Sequence, residues 1–248
     1  MNSAPLTARL TTRFLVAAAI CALFSTATAD LASGFDAGLS AAERPEEDKS
    51  RDAARKPRQV LEFVGIGAGM TVLDISASTG WYTEVLSAAV GPTGRVIAHN
   101  TEGRRDRTEA GISAKAERLD NVTLLFADYG SMGLDAEVDA ALTALNFHDL
   151  QNRSAAAGQA FLGDAFKALK PGGVLGVIDH AGSAGQNNAE LHRVELAVTR
   201  TALESAGFVV EAVSDLLRNP ADDHSLHMRD ESLQRNTDRF LIRARKPK

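Results

Sequence analysis

Residues 71–86, TVLDISASTGWYTEVL, decide the fold of this 248-residue chain. An apolar run at 71–75, interrupted only by Asp74, is typical of a buried strand. Small residues fill positions 76–80, and the apolar spacing from 82 to 89 predicts an amphipathic helix. In a strand–turn–helix unit, free backbone N–H groups and the positive end of the helix dipole lie together at the turn. The stretch therefore predicts a ligand-binding loop.

The loop departs from the usual nucleotide-binding pattern at its glycines. A D-x-G-x-G-x-G loop has glycine at three alternate positions, whereas this chain has Ser76, Ser78 and Gly80 there. A hydroxymethyl side chain fits such a turn where the backbone φ angle is negative, and it adds a donor. We therefore expect negative φ angles at both serines and a loop that still admits a ligand.

The first 29 residues carry a separate pattern. Residues 1–13 lack acidic side chains and carry two arginines, residues 14–24 are apolar throughout, and residues 27–29 are Ala-Thr-Ala. This order is typical of a secretory signal peptide and predicts cleavage after Ala29, with a periplasmic or secreted product. An eleven-residue helix rises only about 16 Å, half of a bilayer core, so an uncleaved anchor or a buried helix is the less favoured alternative.

The composition of the remaining chain excludes several kinds of protein. The only cysteine, Cys21, lies in the predicted signal peptide, so the mature chain has no disulfide and no thiolate nucleophile. Removal of Arg9 and Arg13 moves the formal charge from −5 to −7. An acidic surface argues against binding to nucleic acid, which uses basic patches. We expect a small-molecule partner and no membrane span after cleavage, and the sequence leaves the oligomeric state open.

The mature chain predicts a lead-in at 30–58, helical from 46 and partly extended before it, and one domain at 59–248. Strand-like runs alternate with helical segments, which favours a parallel sheet covered on both faces. The predicted strands are 71–75, 95–99, 122–127, 138–145, 174–179, 208–213 and 238–245. The predicted helices are 46–64, 82–89, 108–119, a weak one at 131–135, 155–169 and 191–206. The last two strands are joined by a polar loop without a helix, so they are expected to pair antiparallel.

Polar residues stand at or just beyond the ends of the predicted parallel strands, where open α/β sheets bind ligands. These residues are Asp74, Asn100, Asp128, Asn146 and Asp179. From the residues alone, Asp74 also suits a helix cap, and Asp128 suits a plain turn.

Several segments together resemble the class I S-adenosylmethionine-dependent methyltransferases, and more closely a bacterial group of exported, predicted methyltransferases. The segments are RDAARKP (51–57), VLEFVGIGAG (60–69), GWYTEVL (80–86), NFHD (146–149), LKPGG (169–173), DH (179–180) and DLLRNPADD (215–223). The resemblance implies a single Rossmann-like, doubly wound, mostly parallel seven-stranded sheet with the last strand antiparallel. It also implies S-adenosyl-L-methionine as cofactor and methyl transfer to a small acceptor.

The resemblance assigns cofactor roles to individual positions. Asp74 and the loop that follows it, through Ser76, Ala77, Ser78 and Gly80, would cradle the methionine part. Asn100 stands where such enzymes usually carry an acid that holds the ribose hydroxyls, and Glu102 is an alternative for that role. Asp128 would accept from the adenine amino group. Tyr129 and Asn146 complete the predicted set.

Two His/Asp pairs are the candidates for the chemistry. His148 and Asp149 follow the fourth strand, and Asp179 and His180 follow the fifth. A neutral His148 would accept a proton from the methyl acceptor. If both pairs face one cleft, a metal-dependent hydrolase or metal-binding protein is the rival reading, although no H-x-x-x-H or H-E-x-x-H spacing supports it.

Other classes are less favoured. The chain has neither a serine nucleophile elbow nor a phosphate-binding P-loop. A dinucleotide oxidoreductase would share the sheet, but the missing glycines and the antiparallel end oppose it. A binding protein that kept the fold without turnover remains an alternative. His192, His224 and His227, with Asp222 and Asp223, are expected to be solvated.

Overall fold

A computed structural model describes residues 30–248, so the predicted signal peptide at 1–29 lies outside the described residues. One seven-stranded sheet has the order β3-β2-β1-β4-β5-β7-β6. β7 pairs antiparallel with both β5 and β6, and the other pairs are parallel. The strands are β1 (Thr71–Ile75), β2 (Arg95–Asn100), β3 (Val122–Phe126), β4 (Val138–Ala144), β5 (Leu169–His180), β6 (Val209–Ser214) and β7 (Arg239–Arg245). The predicted fold class is confirmed.

Helices cover both faces of the sheet. Their bounds are α1 (Phe35–Ser40), α2 (Glu46–Lys49), α3 (Asp52–Arg55), α4 (Pro57–Val64), α5 (Trp81–Val90), α6 (Arg105–Ala116), α7 (Phe147–Arg153), α8 (Ala155–Ala168) and α9 (Leu196–Ser205). Side chains alternate along β1, so Val72 joins the core under α1, α4 and α5. Leu73 and Ile75 join the core under α7, α8 and α9. This double burial explains the continuous apolar runs.

The N-terminal segment differs from the prediction. Residues 46–64 form three short helices in place of one interrupted helix, because Lys56 adopts a left-handed φ of 46° directly before Pro57. Proline disfavours the helical conformation in the residue before it and begins a new helix well. Phe35 of α1 is buried in the same core as α4, so the start of the lead-in is folded and helical, where an extended path was expected.

Two further helix predictions were wrong, and one helix was missed. Residues 131–135 form no helix, and the predicted helix at 191–206 begins only at Leu196. α7, which carries His148, was not predicted, since its seven residues are too few to show helical periodicity. Between residues 30 and 248, no helix combines the length and apolar character that crossing a bilayer requires.

Candidate active site

A crevice of about 230 Å³ lies beyond the carboxyl ends of β1 and β4. These two strands are adjacent and parallel, and the strand order reverses between them, which is where open α/β sheets bind ligands. The loop after β1, the start of α5 and the turn after β4 line the crevice, together with three arginines. The lining residues are Arg51, Arg55, Asp74, Ser76, Ala77, Ser78, Thr79, Trp81, Tyr82, Arg104, Ala144, Leu145 and Asn146.

The loop after β1 keeps the backbone path of a glycine-rich loop although it has lost two of its glycines. The φ angles are 60° at Ser76, 56° at Ser78 and 86° at Gly80, so all three alternate positions are left-handed. The expectation of negative φ at the serines was wrong. Leu145, across the crevice, is also left-handed with a φ of 61°. Backbone strain in residues other than glycine concentrates at functional sites, and here three such residues line one crevice.

The buried side chain of Asn100 braces this loop. Its Oδ1 accepts a hydrogen bond from the Ser78 N–H at 2.8 Å, and its Nδ2 donates to the Ser78 carbonyl at 2.9 Å. Both ends of the amide are therefore used on one strained residue. Sequence reasoning placed Asn100 at the ribose, whereas the structure places its polar atoms against the loop backbone. An acid at this position would lack the donor for the carbonyl.

His99 fixes the other end of the loop and was missed by sequence reasoning. Its Nδ1 accepts from the Ser76 N–H at 3.4 Å, and its Nε2 donates to the Ala127 carbonyl at 2.8 Å. Burial lowers the pKa of His99, which fits a neutral ring with one donor and one acceptor. The ring thus ties the end of β1 to the end of β3.

Asp74 is buried and bonds to the first turn of α5, whose N-cap residue is Gly80. Its Oδ2 accepts from the Thr83 hydroxyl of α5 at 2.6 Å. Burial raises the pKa of Asp74 to about 7, against the opposing effect of the hydrogen bonds from Thr83. The carboxyl therefore holds the loop and helix together while it lines the crevice.

A group of arginines gives the crevice its positive charge. Arg55 lies over the Trp81 ring, with its Cζ 4.5 Å from the ring centroid. Burial, together with the nearby guanidinium groups of Arg239 and Arg51, lowers the pKa of Arg55 to about 10. Among residues 30–248, Arg55 and Arg239 form no ion pair within 4.0 Å. Uncompensated positive charge in a crevice favours an anionic group.

Sequence reasoning did not assign these arginines a role. The signal that could have found them is the four-residue spacing of Arg51 and Arg55 in the segment RDAARKP, which suits one face of a helical turn. Tyr82 was assigned only to a helix and Trp81 was given no role, yet both line the crevice.

The remaining residues predicted at the adenosine end lie outside the crevice lining. Glu102 is paired with Arg105 through two hydrogen bonds of 2.8 Å, and Asp128 is exposed. The Tyr129 hydroxyl is hydrogen-bonded to the Ser76 hydroxyl, so it supports the loop without lining the crevice. Asn146 does line the crevice, and its Nδ2 donates to the Ala144 carbonyl at 2.6 Å.

The two His/Asp pairs meet, as the prediction required. His148 Nδ1 lies 2.6 Å from Asp179 Oδ1, and the His148 and His180 rings are 5.5 Å apart. Burial by itself lowers the pKa of His148, but the carboxylates of Asp149 and Asp179 outweigh it and raise the pKa to about 9. The neutral form of the ring that a proton acceptor needs is therefore disfavoured at this position. Burial lowers the pKa of His180 well below its usual value.

Two of the late histidines are bonded within the fold, where solvated side chains were expected, although His192 is still 38% exposed. His192 Nδ1 lies 2.7 Å from Asp149 Oδ1, and His224 Nε2 lies 2.8 Å from Asp238 Oδ2. Buried Arg193 forms a bidentate ion pair with Asp222, in which Nη1 lies 2.9 Å from Oδ2 and Nη2 lies 3.0 Å from Oδ1. These contacts fasten the polar loop before β7 to the segment that carries His192.

The chain is similar in sequence to known methyltransferases. Residues 52–146 match the family described as protein-L-isoaspartate (D-aspartate) O-methyltransferase. This range runs from α3 to the turn after β4 and contains nearly all of the crevice lining. A curated relative from Pseudomonas fluorescens, a ubiquinone/menaquinone biosynthesis C-methyltransferase, is 27% identical over 184 residues. That alignment covers 71% of this chain and 66% of the relative, so the chain spans slightly less than two thirds of the relative's length.

Solved structures show the same fold. A S-adenosylmethionine-dependent methyltransferase from Aquifex aeolicus superposes with a TM-score of 0.60 at 24% identity, covering 82% of this chain and 98% of the other. An arsenic(III) S-adenosylmethionine methyltransferase from Chlamydomonas reinhardtii superposes at 0.55 and 17% identity, covering 87% and 73%. The strand order, the crevice at the reversal of that order and these matches agree. The chain is similar in sequence to methyltransferases and has the fold of the class I S-adenosylmethionine-dependent methyltransferases.

Proposed function

We propose that the protein transfers the methyl group of S-adenosyl-L-methionine to a small acceptor. The observation that carries this proposal is the loop after β1, where Ser76 and Ser78 hold the left-handed conformation that the glycines of such a loop would adopt freely. A left-handed residue other than glycine costs about 1–2 kcal/mol. A loop held in this path by Asn100 and His99 is best explained by a ligand that needs its backbone.

The residues present fit the cofactor at its amino-acid end. The loop backbone and the first turn of α5 would hold the methionine part, and Arg51 and Arg55 would hold its carboxylate. Asn100 would act indirectly, by fixing the loop, and its amide would not contact the ribose.

Bound S-adenosylmethionine supplies an electrophilic methyl group on a sulfonium centre. The chain's own contribution is alignment, which is worth up to roughly 7–11 kcal/mol of a bimolecular barrier. The loop fixes one partner through backbone groups, and Asn146 leads the chain from the crevice wall into α7, beside which the acceptor would bind. The buried aromatic residues Trp81 and Tyr82 would exclude water from the crevice.

The test is a calorimetric titration of the chain from Asp30 onward with S-adenosylmethionine and with its demethylated product. We expect one site, and we expect Arg55→Gln to weaken it at least tenfold. Absence of heat at millimolar ligand would overturn the proposal. Transfer is then measured as release of the demethylated product with a panel of acceptors. The name of the curated relatives makes quinone-type rings the first class to include.

We also propose that the protein works outside the cytoplasm on a small molecule and binds no nucleic acid. The pattern of residues 1–29 and the acidic charge of the remainder support this. Expression of the whole chain in a Gram-negative host, followed by mass measurement of the periplasmic fraction, tests it. A product that begins at Asp30 is expected, whereas an intact chain confined to the cytoplasm would refute the location.

A further inference from the structure

We propose that His148, Asp149 and His192 bind a divalent transition-metal ion beside the crevice. Nitrogen atoms from the two rings and an oxygen of the carboxylate all lie within 4.8 Å of one another. His148 Nε2 and His192 Nδ1 lie 3.2 and 2.7 Å from the same oxygen, Asp149 Oδ1. Ligand atoms about 2.0–2.2 Å from a zinc ion lie roughly 3.3 Å apart, so small side-chain adjustments would suffice.

The His148 ring is oriented as a metal ligand is. Asp179 accepts from the His148 backbone N–H at 2.8 Å and lies 2.6 Å from Nδ1. A carboxylate behind the ring fixes the tautomer that leaves Nε2 free for a metal, which is the usual arrangement around zinc-bound histidines. Within residues 30–248, Nε2 is buried and has no hydrogen-bond partner. The nearest acceptor, Asp149 Oδ1 at 3.2 Å, lies outside hydrogen-bond geometry, and an ion between this nitrogen, the carboxylate and the second imidazole would satisfy all three groups.

His192 is held in place at a cost in backbone conformation. Its φ is 51°, in the left-handed region that only a few per cent of residues other than glycine adopt. The next residue, Arg193, supplies that support through its buried ion pair with Asp222 and a bond from its Nε to the Leu226 carbonyl at 3.0 Å. The strain thus serves to present the His192 ring to Asp149.

The donor set indicates the class of ion and the kind of site. Two imidazoles and one carboxylate suit Zn²⁺ or Fe²⁺ and do not suit Mg²⁺ or Ca²⁺, which take mostly oxygen ligands. The Asp149 and His192 side chains are 48% and 38% exposed, so the remaining coordination positions would face solvent. Three protein ligands with an open position are typical of a catalytic metal site.

One consequence rests on the proposed function. Asn146 lines the crevice and lies two residues before His148, so an ion here would lie on the acceptor side of the crevice. An open position would bind an acceptor oxygen and favour its deprotonated form. The acceptor class would then be a molecule with an ionisable hydroxyl group.

The test uses protein without a histidine tag, stripped with a chelator and dialysed. Titration with ZnCl₂ should show one ion per chain, and CoCl₂ should give the visible absorption of a nitrogen- and oxygen-ligated Co²⁺. Asp149→Asn and His192→Ala should each weaken Zn²⁺ binding at least tenfold and change the cobalt spectrum. Asp215→Asn, at an 89% exposed carboxylate outside the cluster, should leave both unchanged.

The outcomes separate this proposal from the previous one. Zn²⁺ binding that is unchanged in both cluster variants, or absent in the parent protein, overturns the metal site. The two variants change partly exposed side chains, and circular dichroism melts check that each remains folded. Titration with the demethylated cofactor product in the absence of metal tests the methyltransferase site separately. A failure of one measurement therefore leaves the other interpretable.

Discussion

Replacement of Ser78 by glycine should stabilise the protein. Ser78 has a φ of 56°, and its exposed side chain forms no hydrogen bond within the described chain, so the substitution removes strain and loses little. Removing the strain of a left-handed residue other than glycine raises the free energy of unfolding by about 1–2 kcal/mol. The larger backbone entropy of glycine in the unfolded chain lowers it by about 0.5–1 kcal/mol. With the middle of each range, the expected net gain is about 0.75 kcal/mol, or a rise in Tm of roughly 1.5–3 °C for a chain of this size.

Thermal melts of a small set of variants isolate the cause. Ser78→Ala keeps the strain and should leave Tm within about 1 °C. Gly80→Ala should lower the stability, because its φ is 86° and an added Cβ would lie 3.2 Å from Lys115 Cδ. Ser76→Gly should be close to neutral, since the relief is offset by loss of the hydrogen bond to Tyr129, worth about 1 kcal/mol.

The reasoning fails if Ser78→Gly is no more stable than Ser78→Ala. That result would mean that the left-handed conformation is not maintained at this position, and the argument from strain to function would fall with it. Binding of the demethylated cofactor product should change less than twofold in Ser78→Gly, because the backbone path stays the same.

Three other variants test the site. Asn100→Asp should destabilise the protein by roughly 2–3 kcal/mol in melts and should not tighten cofactor binding, because a carboxylate would face the Ser78 carbonyl in a buried place. Arg55→Gln should weaken calorimetric binding at least tenfold with stability unchanged or raised, whereas Arg58→Gln, at an exposed pair, should leave binding unchanged. The pKa of Asp74 is about 7 in the folded chain against 3.8 ordinarily, so the unfolded state loses this proton first as the pH rises. Folding stability should therefore fall between about pH 4 and pH 7, by at most about 4 kcal/mol, and denaturant titrations of Asp74→Asn should lack this component.

The sequence predicted the sheet well because its strands are buried on both faces. Continuous apolar runs mark such strands, and β1 was predicted to the residue. The short helices were not predictable in the same way. α7 has seven residues and depends on contacts with α8 and β5, so its periodicity carries too little information.

The position of a residue at the end of a strand was enough to predict that it lies near the crevice. It was not enough to predict the backbone conformation of the loop or the contacts that depend on it. Asp74, the loop and Asn146 do line the crevice, and the two His/Asp pairs do meet. The φ angles of the serines were predicted with the wrong sign, because side-chain size was considered without the path that Gly80 and Asn100 impose. No residue pattern shows that an amide will bond to the backbone of a loop 22 positions away.

The chain departs from the expected motif in two ways, with serine for glycine in the loop and asparagine for an acid at the end of β2. These two departures depend on each other. A left-handed serine needs external support that a glycine does not, and the amide of Asn100 gives that support through one donor and one acceptor on Ser78. An acid at the same position would free an oxygen for a ribose but could not donate to the Ser78 carbonyl. A chain with serine in the loop therefore gains more from asparagine at the end of β2 than from the usual acid. A cofactor bound at this loop would meet a backbone already braced by Asn100, which would reduce the ordering cost that a flexible loop imposes on affinity.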